Sequence, residues 1–139
     1  NRKCIERMSI LIGLHIARAL KLEKNITDKV GDRIFPLIVP QGVDKYPFIA
    51  YDMTGGSGAS TKDGNVEDTA SVQVSVVAKS HGEALKIGNY VRYALDGYTP
   101  TYEEFKVCST GNIVYNDEYV EALDAYSVNI SIDFRTIDF

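Results

Sequence analysis

Tryptophan is absent from the 139 residues, cysteine and histidine each occur twice, and there are only four prolines. Cys4 and Cys108 stand far apart, so neither a redox pair nor a zinc-binding spacing exists. A zinc site would have to use both of them with both His15 and His81. A chain of this length buries roughly two thirds of the surface its unfolded form exposes, and so needs no disulfide to fold. A reducing compartment is the simpler expectation. Long apolar runs are also missing. Ile10 to Ala17 falls far short of the ~20 residues a membrane helix requires. Arg2, Lys3 and Arg7 before it, with Ala17-Arg18-Ala19 after it, imitate a secretion signal. His15 interrupts that run and the helical pattern continues to Leu22, so neither a leader nor a membrane segment is expected. Met8, followed by Ser9, is a candidate natural start, with residues 1–7 then lying upstream. An excess of positive charge is the last absence: 15 Lys and Arg face 19 Asp and Glu, a formal net charge of -4. That argues against a protein that holds nucleic acid by its phosphates.

What is present is ordinary for a globular domain, with 45% hydrophobic and 24% charged residues. The length fits one domain spanning 1–139. Ser9 to Leu22 has the spacing of a helix. Its polar residues His15, Arg18 and Lys21 share one arc, and Ile10, Leu11, Ile12, Leu14, Ile16, Ala17, Ala19 and Leu20 fill the rest. A band that wide is either buried deeply in its own domain or shared with a second subunit; for a domain this small the second is favoured. Asn25 is placed to cap a short turn, Ile26 to Val30, that stops at Gly31. Arg33 to Val39 reads as a strand held to an edge by Pro36, and Phe48 to Met53 as another. Thr54 to Asn65, TGGSGASTKDGN, reads as a long hairpin loop ending in the turn pair Asp63-Gly64.

Thr69 to Ala78 alternates apolar and polar residues as a half-buried strand does. Ser80 and Glu83 then form a capping box. Ala84, Ile87, Gly88, Val91, Ala94 and Leu95 make a helical stripe that ends before Gly97. Phe105 to Ser109 and Ile113 to Tyr115 read as two strand pieces, followed by an acidic turn at Asn116 to Glu118. Tyr126 to Thr136 is the last strand, its even-numbered residues inward. The order predicts an α+β fold: a largely antiparallel sheet of four to six strands, packed with an N-terminal helix and a second helix over about 80–96.

No catalytic constellation emerges. Gly55-Gly56-Ser57-Gly58 lacks the Gly-Lys-Ser/Thr ending of a phosphate loop, because Asp63 follows Lys62. His81-Gly82-Glu83 has no Pro-Cys-x-x-Cys partner and fits the first turn of a helix instead. Asp117, Glu118, Glu121 and Asp124 lack the alternate spacing of a calcium loop and read as a solvated acidic face. No enzyme activity, cofactor or metal is expected. Nine tyrosines without tryptophan point mildly toward interfaces. Tyr90 and Tyr93, beside Arg92, read as the rim of a helix–sheet contact.

The order of elements and several local strings resemble the tail-completion, or tail-terminator, proteins of long-tailed bacteriophages and prophages. The strings are VGDRIFPLIVPQG (Val30 to Gly42), YPFIAYDM (Tyr46 to Met53), ASVQVSVVAKS (Ala70 to Ser80) and VRYALDG (Val91 to Gly97). The resemblance runs from about Met8 onward. It implies a subunit of a ring, commonly a hexamer, that caps the tail tube at its head-proximal end and stops its growth. The implied partners are further copies of itself, the major tail tube protein and a head-completion or connector protein. DNA would pass through the lumen without sequence-specific binding, and no membrane is involved. The implied location is the virion, after assembly in the host cytoplasm. Candidate contact residues are Leu11, Leu14 and Arg18 on the first helix, Gly55, Gly56, Gly58, Lys62 and Asp63 in the glycine-rich stretch, and Tyr93. Two rival readings stay open: another neck component of the same particle, or a small-ligand-binding domain with its cleft between helix and sheet.

Overall fold

The computed structural model describes residues 11–36, 45–60, 66–103 and 105–138. Helices α1 (Ile12–Leu22) and α2 (Lys24–Val30) lead into a short strand β1 (Ile34–Pro36). Strands β2 (Phe48–Ser60) and β3 (Val66–Ala78) form a hairpin, helix α3 (His81–Leu95) follows, and β4 (Phe105–Val120) and β5 (Ala125–Asp138) form a second hairpin. The sheet order is β1-β2-β3-β5-β4. Every neighbouring pair is antiparallel except β1 with β2. The fold is α+β, as the sequence predicts, and the sheet is mixed only at the edge where Pro36 sits.

The helices cover one face of the sheet. Ala70, Val72, Val74, Val76 and Ala78 of β3 and Val128, Ile130, Ile132 and Phe134 of β5 are buried there with Ile12, Ile16, Leu20, Ile87, Val91 and Leu95. The period of two on the strands and of 3.6 on the helices each sends its apolar set to this one layer. Gly88 is what lets α3 sit close: a Cβ at that position would stand 2.8 Å from Val128 Cγ1. The opposite face carries hydroxyls, amides and carboxylates that pair across strands. Ser71 Oγ donates to Asp133 Oδ1 at 2.6 Å, Ser75 Oγ to Asn129 Oδ1 at 2.7 Å, and Asn129 Nδ2 to Asn116 Oδ1 at 3.0 Å. A small second cluster, Phe48, Val77 and Ala125 with Phe35 and Tyr46 beside it, closes one end.

Several local expectations change. The cap of α2 is Glu23, not Asn25: the Glu23 carboxylate accepts from the Asn25 backbone N–H at 3.4 Å, and the helix begins at Lys24. Gly31 ends it with a positive φ of 61°, as expected. Residues 54–60, read as loop, continue β2. Gly55 to Ser60 pair with Ser71 to Val66 after a register shift beyond Met53. Backbone pairing here overrides the low strand propensity of glycine, and Gly56 lies so close to β3 that a Cβ would meet Thr69 O at 3.1 Å. The two pieces after Pro100 are one strand, β4, whose register shifts at Val107/Ser109 and Gly111/Val114 absorb the irregular residues between them. Asn116 to Glu118 are therefore strand rather than turn. The reversal comes later, in a 3₁₀ turn over Glu121–Leu123 closed by Asp124 in the left-handed region. Half of the capping box forms: Ser80 Oγ accepts from the Glu83 N–H at 3.5 Å and caps α3. The part of the first strand beyond Pro36, the loop residues Lys62 and Asp63, and Cys4 lie outside the described residues.

Candidate partner-facing surfaces

Helix α1 is buried on one side by Ile12, His15, Ile16, Ala19 and Leu20. Most of its wide apolar band is thus used inside its own domain. What is left outward is Leu14, 64% exposed, and Leu22, 68% exposed, together with Arg18 and Lys21. His15 does not join that polar arc. At ~100° per residue it sits at the margin of the arc held by Ile12, Ile16 and Ala19, and it is fully buried. Its ring stacks on Tyr98 and meets Tyr102 and Phe134 edge-on.

The His15 Nδ1 lies 2.6 Å from the Tyr102 hydroxyl. Burial pushes His15 down to about 4, so the imidazole is neutral near pH 7. Burial first, and then Tyr98, push Tyr102 up to about 12 against the opposing charge of Arg18. The phenol therefore keeps its proton and donates it to Nδ1, leaving the imidazole proton on Nε2, which has no hydrogen-bond partner among the described residues. The Arg18 guanidinium lies 5.7 Å from the centre of the Tyr102 ring. Leu14, His15, Ala17, Arg18, Lys21, Leu22, Tyr102 and Phe105 together line a cleft of about 540 Å³. It has an apolar floor and two cations on its rim.

A second cleft, of about 440 Å³, runs between α3 and the β4–β5 hairpin. Leu85, Gly88, Asn89, Arg92, Tyr115 and Asp117 are among its lining residues. Arg92 lies over the Tyr115 ring at 5.3 Å, and His81 Nε2 meets Asp117 Oδ2 at 2.6 Å across the cleft's end. Tyr119 donates to Asp124, and that bond, ahead of any other influence, holds its hydroxyl above the usual phenol range. A third hollow at the end of α3 is walled by Arg92, Tyr93, Asp96 and Tyr98 with Glu23.

The anticipated contact residues do not gather in one place. Leu14 and Arg18 meet in the α1 cleft, while Leu11 is partly buried against the core. Tyr93 is 79% exposed and so is no contact rim, whereas its neighbour Tyr90 is packed at the core's margin. Tyr98 links the hollow of Tyr93 to the α1 cleft through its stack on His15. Gly55 and Gly56 are exposed on the distal half of β2, with Gly58 paired to Asp68 farther along it. The sequence reading missed Tyr98, Tyr102, Tyr115 and Tyr119. Only the abundance of tyrosine pointed their way, because Tyr102 meets His15 across 87 positions of sequence. Among the described residues no group of three His, Cys, Asp or Glu is arranged to hold a metal ion, and no helix is long and apolar enough to cross a membrane.

These features define a class: a small α+β domain with helices packed on one sheet face and exposed apolar side chains on separate outer surfaces. The sequence profile of the family described as Tail completion protein gp17 matches residues 15–137, and the chain belongs to that family. It is a structural protein of a phage-type tail. A chain from a solved structure titled "Virion of native gene transfer agent (GTA) particle" superposes with a TM-score of 0.72, covering 89% of this chain and 92% of that one. At 16% identity that likeness shows a shared fold. A search of curated proteins found no match.

Proposed function

We propose that this chain assembles into a closed ring, commonly six subunits in such proteins, that caps the head-proximal end of the tail tube. The ring would stop tube growth and offer a surface to the head connector, within the virion and after assembly in the host cytoplasm. The observation that carries this reading is the tail-completion match across residues 15–137. The exposed apolar side chains support it. Leu14 and Leu22 lie on one surface and Tyr115 and Tyr119 on another, so the isolated subunit leaves apolar area that further copies would cover. An overall charge of -4 suits a channel along which DNA must slide, since negative walls repel phosphate. Gly55 and Gly56, exposed on β2, with Gly58 farther along that strand and Lys62 and Asp63 after it in sequence, are proposed to meet the tube protein or the neighbouring subunit.

The test is polymerisation of the particle's tube protein with and without this chain, imaged by negative stain. Tubes that stay short and carry a ring at one end are the expected result. Tubes of unchanged length that bind no ring would overturn the capping role. Binding to the connector alone would move the chain to another position in the neck. A monomer at every concentration, stabilised against heat by a small molecule, would instead favour the cleft between α3 and the β4–β5 hairpin as a ligand site.

A further inference from the structure

Residues 114–124 hold Asp117, Glu118, Glu121 and Asp124 and no Lys or Arg. Four acidic residues equal the formal charge of the entire chain; the other 15 balance its 15 Lys and Arg. These four carboxylates make the distal half of β4 and the turn after it a locally negative stretch, with Lys79, whose Nζ donates to Leu123 O and Asp124 O, as the cation beside the turn. This segment lies on the outermost strand of the sheet, paired to β5 on one side only among the described residues. It also concentrates exposed apolar groups: Val114, Tyr115, Tyr119 and Leu123. An outer strand with bare apolar side chains is a surface natural proteins normally protect or use.

The cleft along α1 is its complement. Among the described residues its lining contains Arg18 and Lys21 and no carboxylate, and Leu14 and Leu22 stand exposed beside them. The two surfaces lie at opposite ends of one strand. Phe105, the first residue of β4, is in the α1 cleft, and Asp117 comes twelve residues later. At ~3.3 Å per residue, less the two irregularities, that is roughly 35–40 Å along the strand. One molecule cannot bring the two together. Two copies can, and because the patches are unlike, the contact is head-to-tail, the type that repeats into a closed ring.

We propose that neighbouring copies join by setting the acidic, tyrosine-bearing outer edge of β4 of one copy into the cationic, apolar cleft along α1 of the next. Tyr115, Tyr119, Leu14 and Leu22 supply the area, and the carboxylates against Arg18 and Lys21 fix register and exclude the reversed arrangement. This rests on the ring reading above and names its contact.

Charge exchange tests it. Arg18→Glu with Lys21→Glu makes one variant, and Glu118→Lys with Glu121→Lys makes the other; all four positions are exposed. Light scattering is measured on each alone, on their mixture, and on the chain carrying all four changes, with circular dichroism to check folding. Each variant alone should fall toward the 15.4 kDa monomer under conditions where the wild type forms rings. The mixture and the fourfold variant should both recover ring mass, because the exchanged side chains again face side chains of opposite sign, while Asp117 and Asp124 stay engaged with His81 and Tyr119. Rings formed equally well by each single-surface variant would overturn this contact and leave the ring reading standing. Loss of assembly without recovery in the mixture would also overturn it. A wild type that neither self-associates nor caps tubes would remove the ring reading itself, and this contact with it.

Discussion

The β4–β5 hairpin is one continuous ladder with two unlike halves. At its root, Phe105 and Val107 of β4 are as buried as Phe134 and Thr136 of β5. At its tip, Tyr115 and Asp117 of β4 are exposed, while their β5 partners Ile130 and Val128 remain buried. Hydrogen bonding is the same kind in both halves, so pairing does not decide burial. The covering layer does. α1 and the Tyr102 segment reach over the root, whereas α3 lies over β5 at the tip and leaves the outer strand open. A strand can thus begin in the core and end as a surface for something else.

The largest expected effect comes from breaking the root. Phe134→Ala removes a fully buried ring that also touches His15, and should cost about 3–5 kcal/mol in denaturant unfolding. A loss below about 1 kcal/mol would mean the root collapses around the gap and differs little from the tip.

An effect of nearly the same size follows from acidity. His15 titrates near 6.5 when unfolded and at about 4 when folded. Between those values the unfolded chain binds a proton that the folded chain refuses. Stability is therefore complete above pH 6.5 and is lost as pH falls toward 4, by up to about 3 kcal/mol at the lower end. Thermal melts of the wild type and of His15→Gln across this range should differ in slope, the variant being flatter. Parallel curves would show that another group governs the decline.

The smallest stability effect belongs to the tip. Tyr115→Ser takes away an exposed ring that lies under the Arg92 guanidinium, and should change unfolding by less than about 1 kcal/mol. Its effect on assembly, read as ring mass against concentration, should exceed its effect on stability. If the order were reversed, the tip would be part of the fold's foundation and the two halves would not differ as described.

Legibility followed the same division. The inward sets of β3 and β5 and the stripe of α3 were readable because alternation and helical spacing report burial directly. The capping box at Ser80 and the stop before Gly97 were readable because they depend on local geometry. β2 past Met53 was not, since Gly55 to Ser60 are strand only through their partners on β3. Asn116 to Glu118 read as a turn in the sequence because charge there signals solvent, and an outer strand is also solvated. Of the candidate contacts, Leu14 and Arg18 could be anticipated from the helical wheel. The tyrosines that complete the clefts could not, because their partners come from distant parts of the chain.

Local pattern and ordered strings along the chain suffice for the class of fold, the inward face of its two best strands, the acid balance and the family. The tertiary structure decided which apolar residues stayed outside. Whether Leu14, Tyr115 or His15 is covered depends on where a helix or a loop from elsewhere in the chain comes to rest, and no periodicity records that.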